Sequence, residues 1–232
     1  MNKTVIITGA SSGVGYATCE LMSSKGYNVI GLSRSDKKIS ELKNKCRNVE
    51  HYCVNLTDFE KTKNVFNAII TKYDNIDVLV NCAAVFQMIE FVRQDIEYID
   101  TILDTNIRTY IYTSKLVLEN MLSNKKGLII NVSSVSGRHG IENQTIYSST
   151  KHALTGFGDS LNQEIVKNGV KVSTLYPGGI DTELWSEENM YRGNKQELLT
   201  PIQVAQIIAW VADLPENVVM KDMTFFPTNE IH

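Results

Sequence analysis

Short apolar runs alternate with longer segments of helical periodicity along the whole chain. The first run, Lys3 to Thr8, leads into a segment from Val14 to Lys25 whose apolar residues recur at helical spacing. Runs such as Val78-Leu79-Val80 lack polar alternation, as expected for strands buried on both faces. The pattern therefore predicts an α/β fold with a doubly wound parallel sheet and helices on both faces. About seven strands are expected, the others at Asn28 to Ser33, Glu50 to Val54, Asp77 to Asn81, Gly127 to Ser133, Val170 to Tyr176 and Met223 to Phe226.

Four polar or glycine-containing segments each follow a predicted strand directly. In an open parallel sheet, ligands bind beyond the carboxyl ends of the strands, so these segments are expected at one edge. They are Thr8 to Gly15, Asn81 to Ala84, Ser133 to His139 and Pro177 to Thr182. No repeat or linker interrupts the alternation, so residues 1–232 are expected to form one domain. The irregular stretch 181–200, which contains Trp185, is interpreted either as a substrate lid or as an ordinary surface loop and helix.

The turn after the first strand is rich in glycine and opens a helix. Gly9, Gly13 and Gly15 can adopt positive φ and let the backbone approach a phosphate closely. The unpaired N–H groups of the following helix can then bind a pyrophosphate. No lysine follows the last glycine, which excludes a phosphate-binding loop of the Gly-Lys-Ser/Thr type. A purely structural turn is the alternative, and three glycines in this context disfavour it.

Tyr147 and Lys151 lie four residues apart, so on a helix they share one face. A free tyrosine has a pKa of about 10, so a tyrosine that exchanges protons at neutral pH needs a nearby positive charge. Lys151 can supply that charge, and Ser134 adds a polarising hydroxyl. An isolated pair is also typical of a solvated helix surface. The interpretation as a proton-transfer centre therefore depends on the surrounding motifs.

Composition narrows the class of protein. The 232 residues suit one α/β domain with a full core, and the net charge of −3 with a pI near 5.8 offers no basic surface for nucleic acid. No apolar run approaches the ~20 residues of a membrane span, and the start at Met1-Asn2-Lys3 leads us to expect no signal peptide. The four cysteines and four histidines lack metal-ligand spacing, so no metal site is expected. We expect a cytoplasmic protein with reduced thiols.

At these motifs the chain resembles the short-chain dehydrogenases/reductases, in the subgroup of roughly one Rossmann domain. The similarity covers most of the chain, and the 13-residue interval from Ser134 to Tyr147 is the usual one in that family. Two positions depart from the family pattern. Ala84 stands where glycine is usual, and Asn55 replaces an aspartate that contacts the adenine amine, although an asparagine carbonyl can still accept that hydrogen bond. The matching segments are Thr8 to Gly15, Asn81 to Ala84, Asn106, Ser134 with Tyr147 and Lys151, and Tyr176-Pro177-Gly178 with Thr182.

The resemblance implies an oxidoreductase that interconverts a carbonyl and a secondary alcohol by hydride transfer from a nicotinamide cofactor. Tyr147 would be the acid/base, Ser134 would hydrogen-bond the substrate oxygen, and Lys151 would lower the pKa of the tyrosine and hold the ribose. Asn106 would position a water that links Lys151 to solvent; a helix asparagine bonded to backbone is the alternative. The implied cofactor contacts are Thr8, Gly9, Ser11, Ser12, Gly13, Val14, Gly15, Ser33, Arg34, Asn55, Leu56, Asn81, Ala83, Tyr147, Lys151, Pro177, Gly178, Ile180 and Thr182.

The end of the second predicted strand indicates which cofactor is preferred. NAD-binding chains place an acidic residue there for the ribose 2′-hydroxyl, whereas this chain has Ser33 and Arg34. Arg34 should attract a 2′-phosphate, which predicts NADP(H) over NAD(H). Asp36 lies close by in sequence. The alternative is that Arg34 is a solvated residue at the start of the next helix.

Substrate identity does not follow from spacing. Arg138 and His139 are interpreted either as contacts for an acidic substrate or as solvent-facing loop residues. The alternatives are a 3-oxoacyl thioester reductase of the same family, a non-catalytic NADP(H)-sensing protein, and a nucleotide-sugar epimerase or dehydratase. The expected partners are a small carbonyl or alcohol substrate and a second copy of the chain, in a homodimer or homotetramer that uses helices near Ile96 to Leu122 and Gln144 to Lys167.

Overall fold

In the part of the chain that the structure describes, the sheet has seven strands, all paired in parallel. The structure, a computed structural model, describes residues 2–35, 41–44, 46, 48–185 and 195–229. Spatial order along the sheet is β3-β2-β1-β4-β5-β6-β7. The predicted doubly wound α/β fold is confirmed. The strands are β1 Thr4–Thr8, β2 Asn28–Ser33, β3 Val49–Cys53, β4 Val78–Asn81, β5 Gly127–Val132, β6 Val170–Pro177 and β7 Asp222–Phe225.

Helices connect the strands, and one connection contains an irregular turn. Five residues of π-helix, Asp104–Arg108, separate two α-helices in the stretch where helices were expected near Ile96 to Leu122. Such π-turns are rare in α-helices overall, but those that occur are often found at functional sites. Within the described residues, none of the helices is both long and apolar enough to span a membrane. The α-helices whose two ends are both described are α1 Gly13–Ser24, α2 Phe59–Tyr73, α3 Ile96–Leu103, α4 Thr109–Ser123, α5 Thr145–Ile165 and α6 Pro201–Ala212.

Two apolar cores cover the faces of the sheet. Successive strand residues point to opposite faces, so Val5 and Ile7 pack on one side and Ile6 on the other. All five residues of β1 are buried, which explains its continuous apolar run. Each fully buried Val, Leu or Ile side chain contributes roughly 1.5–3 kcal/mol, so the cores hold the strand ends in a fixed arrangement.

The strand order reverses direction at β1. The chain runs from β1 outward through β2 to β3, then returns to the other side of β1 at β4. The loops that follow β1 and β4 therefore leave the sheet in opposite directions and open a crevice at its carboxyl edge. The glycine-rich turn and the segment that begins at Cys82 form the two sides of this crevice.

Candidate active site

Two adjoining cavities occupy the carboxyl edge of the sheet. The inner cavity has a volume of about 380 Å³ and contains Ser134, Tyr147 and Lys151 on its wall. The outer cavity has a volume of about 560 Å³ and lies beyond β2 and β3. Both cavities share four wall residues, Gly9, Ser12, Arg34 and Ala84, so they form one continuous groove.

The glycine-rich turn forms the floor where the two cavities meet. Gly9 and Gly13 have φ of 68° and 49°, a backbone region that favours glycine. A Cβ at Gly15 would meet the backbone oxygen of Gly9 at 2.3 Å, so only glycine fits there. Ser12, in extended conformation, makes no side-chain capping bond to α1. The first N–H groups of α1 therefore face the groove as donors for an anion.

Thr8 and Asn81 lie behind the groove and hold its walls together. The Thr8 hydroxyl accepts from the backbone N–H groups of Cys82 and Ala83 at 2.9 and 3.1 Å. The buried Asn81 side chain accepts from the Thr113 hydroxyl at 2.7 Å and donates to the Asn131 amide oxygen at 3.0 Å. Both residues were expected as cofactor contacts. The structure places neither on a cavity wall.

Ser134 and Tyr147 meet in the inner cavity as their spacing predicts. Ser134 follows β5 and Tyr147 lies in the first turn of α5. Burial raises the pKa of Tyr147 to about 12, and a hydrogen bond with the Ser134 hydroxyl acts in the opposite direction. The phenol is consequently protonated at neutral pH and can donate a proton.

Lys151 lies beneath Tyr147 and is buried. Its ammonium donates to the backbone oxygen of Val132 at 3.1 Å and lies 5.5 Å from the ring centroids of both Tyr147 and Tyr110. Burial lowers the pKa of Lys151 to about 8. Lys151 was expected to lower the pKa of Tyr147, but in this arrangement desolvation raises that pKa, and the group that opposes the rise is the Ser134 hydroxyl.

Asn106 is fully buried within the π-turn. Its amide oxygen accepts from the backbone N–H of Val85 at 2.8 Å, and its amide nitrogen donates to the backbone oxygen of Val85 at 2.8 Å. A weaker bond of 3.4 Å joins the same nitrogen to the Thr150 hydroxyl. The side chain is thereby engaged with protein groups, which matches the alternative of a helix asparagine bonded to backbone.

The outer cavity contains the residues expected around the adenosine end of the cofactor. Arg34 is exposed on the wall of both cavities, while Ser33 turns its hydroxyl toward the Ser35 carbonyl oxygen at 2.9 Å. Asn55 also lines this cavity, but its amide oxygen already accepts from the Thr57 backbone N–H and hydroxyl at 3.3 and 3.0 Å. Its amide nitrogen remains the group that can meet a ligand. Ser11, Leu56 and Ala83 complete the predicted residues on this wall; Asp36 lies outside the described residues.

The end of β6 and the loop that follows it line one side of the inner cavity. Pro177, Gly178, Ile180 and Thr182 all line it, as expected, and Val14 faces them. The Thr182 methyl group would lie 3.2 Å from a Cβ at Gly13, so the loop and the turn pack closely. Of the predicted lid, residues 186–194 lie outside the described residues.

Several residues of the inner cavity were missed by the sequence reasoning. Phe86 packs edge-on against Tyr147 and Trp185, with ring centroids 4.8 and 5.1 Å apart. Ser136 and Gln144 also line the cavity. Gln144 precedes Tyr147 by three residues, about one helical turn, and this spacing was the sequence signal that could have placed Gln144 near Tyr147. Ser136 and Phe86 carried no signal of this kind.

Arg138 and His139 lie outside the inner cavity. The Arg138 guanidinium bonds the Asp222 carboxylate at 2.5 Å and lies 4.0 Å from the ring centroid of Tyr176. His139 is exposed. The exposed His139 agrees with the solvent-facing alternative, whereas Arg138 is half-buried and engaged by Asp222 and Tyr176 rather than by the inner cavity. In the described ranges no group of three or more His, Cys, Asp or Glu is placed to hold a metal ion.

Comparison with known proteins gives matches along nearly the whole chain. The sequence profile of the short chain dehydrogenase family matches residues 3–192. An uncharacterized oxidoreductase of Staphylococcus saprophyticus is 30% identical over 231 residues, which cover 97% of each chain. One from Staphylococcus aureus is 27% identical over 228 residues, again 97% of each chain.

Solved structures show the same fold. ElxO with NADP bound is 26% identical, has a TM-score of 0.89 and matches over 98% of each chain. Serine dehydrogenase from Escherichia coli is 24% identical with a TM-score of 0.89, and the match covers 99% of this chain and 100% of that one. The latter similarity is one of fold alone.

Proposed function

Because the chain belongs to the short-chain dehydrogenase family, we propose that it is an NADP(H)-dependent oxidoreductase that interconverts a carbonyl and a secondary alcohol, with Tyr147 as acid/base. The observation that carries the proposal is the meeting of Ser134, Tyr147 and Lys151 on the wall of one cavity that continues to the glycine-rich turn.

The groove fits a dinucleotide. Gly9 and Gly13 adopt positive φ, and the Gly15 position has no room for a side chain, so the backbone itself forms the cradle. The uncapped N-terminus of α1 supplies donors for a pyrophosphate, and the groove extends on both sides of it. When bound, the nicotinamide supplies or accepts the hydride.

Arg34 supports a preference for NADP(H). It is the cationic side chain that lines the outer cavity within the described residues, and β2 ends just before it without an acidic residue. A 2′-phosphate on the ribose would meet that guanidinium, whereas a 2′-hydroxyl would gain little from it. The relative ElxO was solved with NADP bound, which agrees with this preference.

In the direction of reduction, Tyr147 donates its proton to the carbonyl oxygen while Ser134 hydrogen-bonds that oxygen. The raised pKa of Tyr147 keeps the phenol protonated before the reaction. The phenolate that forms lies above the Lys151 ammonium, whose positive charge stabilises it at that moment. In the reverse direction the same phenolate removes the proton of an alcohol.

Asn106 acts as a positioning residue in this proposal. Its two bonds to Val85 hold the loop that carries Val85 and Phe86, both on the inner cavity wall. The π-turn places the asparagine between this loop and Thr150, one residue before Lys151. Replacement of Asn106 should therefore disturb the cavity wall rather than remove a reacting group.

The proposal includes a small-molecule partner, a homodimer or homotetramer and a cytoplasmic location. The alternative of a 3-oxoacyl thioester reductase shares the same chemistry. A protein that only senses NADP(H) would have no need for Tyr147 beside Ser134 and Lys151, which disfavours that alternative.

A substrate panel tests the proposal. Purified protein with NADPH is assayed by loss of NADPH absorbance on ketones, 3-oxo acids, oxoacyl thioesters and diketones. Turnover of at least one carbonyl class that Tyr147→Phe removes is expected. Tight NADPH binding without turnover on any class would favour the sensing alternative.

A further inference from the structure

The segment that carries Arg34 is attached to the neighbouring strand by side chains. β2 ends at Ser33, and Arg34 follows it on the wall of both cavities. His51 and Cys53 lie two residues apart on β3, the outermost described strand on this side of the sheet, so they share one face of that strand. Both residues lie outside the two cavity walls, and the proposed function gives neither of them a role.

A chain of hydrogen bonds runs from His51 to both neighbours of Arg34. The buried Ser33 hydroxyl lies 3.0 Å from Nε2 of His51 and 2.9 Å from the backbone oxygen of Ser35. A carbonyl oxygen can only accept, so the single hydrogen of the hydroxyl points to Ser35. Nε2 of His51 therefore carries a hydrogen and donates it to Ser33. The chain from His51 through Ser33 to Ser35 holds the residues before and after Arg34.

Two further bonds attach the same segment to β3 and to the residue that follows it. The Cys53 thiol donates to the backbone oxygen of Arg34 at 3.3 Å, and the backbone N–H of Val54 donates to the backbone oxygen of Ser33 at 2.8 Å. Three consecutive residues, from Ser33 to Ser35, are thus each bonded. A segment that is already ordered loses little conformational freedom when a ligand binds to it, which favours binding.

The charges on the outer cavity wall make the position of Arg34 important. Arg34 is the cation on this wall in the described part of the chain, whereas Asp100 and Asp104 add two carboxylates to it. Asp104 pairs with Arg108 at 2.8 Å, and Asp100 is exposed. A phosphate that moved away from the guanidinium toward these carboxylates would meet like charges. Attraction of a 2′-phosphate therefore depends on where the backbone of Arg34 is held.

We infer that His51 is a positioning residue for cofactor selectivity: through Ser33 it holds Arg34 where the guanidinium meets the 2′-phosphate, and it thereby raises the preference for NADPH over NADH. This inference rests on the proposed function and adds a determinant of selectivity behind the wall of the same site. Because His51 lies outside both cavity walls, its effect on the cofactor is transmitted by Arg34. NADH has no 2′-phosphate, so its binding should not depend on His51.

Three variants of β3 separate the hydrogen bond from a general disturbance of the strand. His51→Leu removes the donor, whereas His51→Gln keeps an N–H donor near the position of Nε2 without the ring or a positive charge. Tyr52→Leu changes the same strand on its opposite face and is the control. Dissociation constants of NADPH and NADH are measured by fluorescence titration for each purified protein, and thermal unfolding verifies that each variant is folded.

His51→Leu should raise the dissociation constant of NADPH by about three- to tenfold, the range that one net hydrogen bond spans, and leave that of NADH unchanged within about twofold. His51→Gln should restore the NADPH value, and Tyr52→Leu should alter neither constant appreciably. In an Arg34→Ala background, His51→Leu should change NADPH binding by less than about twofold, because two residues that act through one contact are not additive.

Equal effects of His51→Leu on both cofactors, a loss in His51→Gln as large as in His51→Leu, or a full effect of His51→Leu without Arg34 would overturn the inference and leave the proposed function intact. If His51→Leu does not fold, Ser33→Ala decides instead: it removes the middle of the chain and should cause the same selective loss, and an unchanged ratio of the two constants would overturn the inference. Wild-type protein that does not prefer NADPH would overturn the proposed cofactor preference, and the inference with it.

Discussion

Tyr110 and Lys151 donate to the same atom, the backbone oxygen of Val132. The Tyr110 hydroxyl lies 3.0 Å from it and the Lys151 ammonium 3.1 Å. Both side chains are buried, and the ammonium also faces the Tyr110 ring. Burial holds the pKa of Tyr110 well above its usual value, so its hydroxyl remains a donor at any pH of interest. The lysine and the tyrosine are thus energetically coupled through one acceptor.

This shared acceptor predicts a non-additive effect on stability. Tyr110→Phe leaves Lys151 as donor to Val132, and Lys151→Met leaves Tyr110, so each single variant keeps the oxygen bonded. Only the double variant leaves it without either side-chain donor, which costs roughly 1–3 kcal/mol. Denaturant unfolding of the four proteins should show the double variant less stable than the sum of the singles by about 1 kcal/mol or more. Additivity within about 0.3 kcal/mol would contradict the coupling.

Lys151→Met should stabilise the protein while it abolishes turnover. The pKa of Lys151 falls from 10.5 to about 8 on burial, so at neutral pH the folded state carries a charge that it disfavours. Removing that charge should increase the free energy of unfolding by about 1–3 kcal/mol, a rise in Tm of several degrees. The difference in the free energy of unfolding between Lys151→Met and wild type should be largest below about pH 8. It should shrink as the pH rises toward 10.5, because Lys151 of the wild type loses its charge in that range. Lys63→Met, at an exposed site of α2, is the control and should leave Tm unchanged.

Carbonyl reduction should be independent of pH up to about 8 and decrease above it. Lys151, with a pKa of about 8, loses its proton long before Tyr147, with a pKa of about 12. The activity needs both groups protonated, so it is present below the lower pKa and lost as the pH passes through it. The measurement is kcat/KM for NADPH from about pH 6 to about pH 10, which reports groups of the free enzyme. A plateau that continues beyond about pH 10 would exclude Lys151 as the limiting group.

Tyr147→Phe should keep NADPH binding and lower turnover by about 10²–10⁴-fold, the usual contribution of a positioned acid. The ring contact with Phe86 survives the substitution, so the cavity wall is retained. Tyr176→Phe removes a hydroxyl that bonds Thr155 at 3.0 Å, and Tyr176 is not on the cavity wall, so it provides the matched control. Near-normal activity in Tyr147→Phe would refute its role.

Arg34→Asp should raise the dissociation constant of NADPH by about 10–100-fold and leave that of NADH similar or lower, because the 2′-phosphate would lose a cationic partner and meet a carboxylate. Arg93→Asp makes the same charge change at an exposed residue paired with Glu90, and it should alter neither constant appreciably. Equal effects on both cofactors would contradict a 2′-phosphate contact.

The positions of the strands in the sequence were predictable because they depend on local periodicity. The location of the functional loops at one edge of the sheet was predictable for the same reason. A buried parallel strand needs a continuous apolar run, and the chain leaves each such run at the same end. The positions of Ser134, Tyr147 and Lys151 followed for the same reason, since one helix and one strand end carry them. Gly9, Gly13 and Gly15 were identifiable because the turn that they form needs residues without a Cβ.

Other properties of the site arise only from contacts between segments distant in sequence. Asn106 bonds Val85, and Arg138 bonds Asp222. Thr8 and Asn81 lie behind the groove rather than on its wall. Each of these arrangements depends on packing between elements that are far apart in sequence.

The sequence by itself determined the sheet and the glycine-rich turn, because periodicity and glycine geometry act locally, and it proposed Ser134, Tyr147 and Lys151 as the reacting groups. Tertiary structure decided the pKa values of Tyr147 and Lys151 and the hydrogen-bond partners of Asn106, because desolvation and hydrogen bonding are set by the residues that fold around each group.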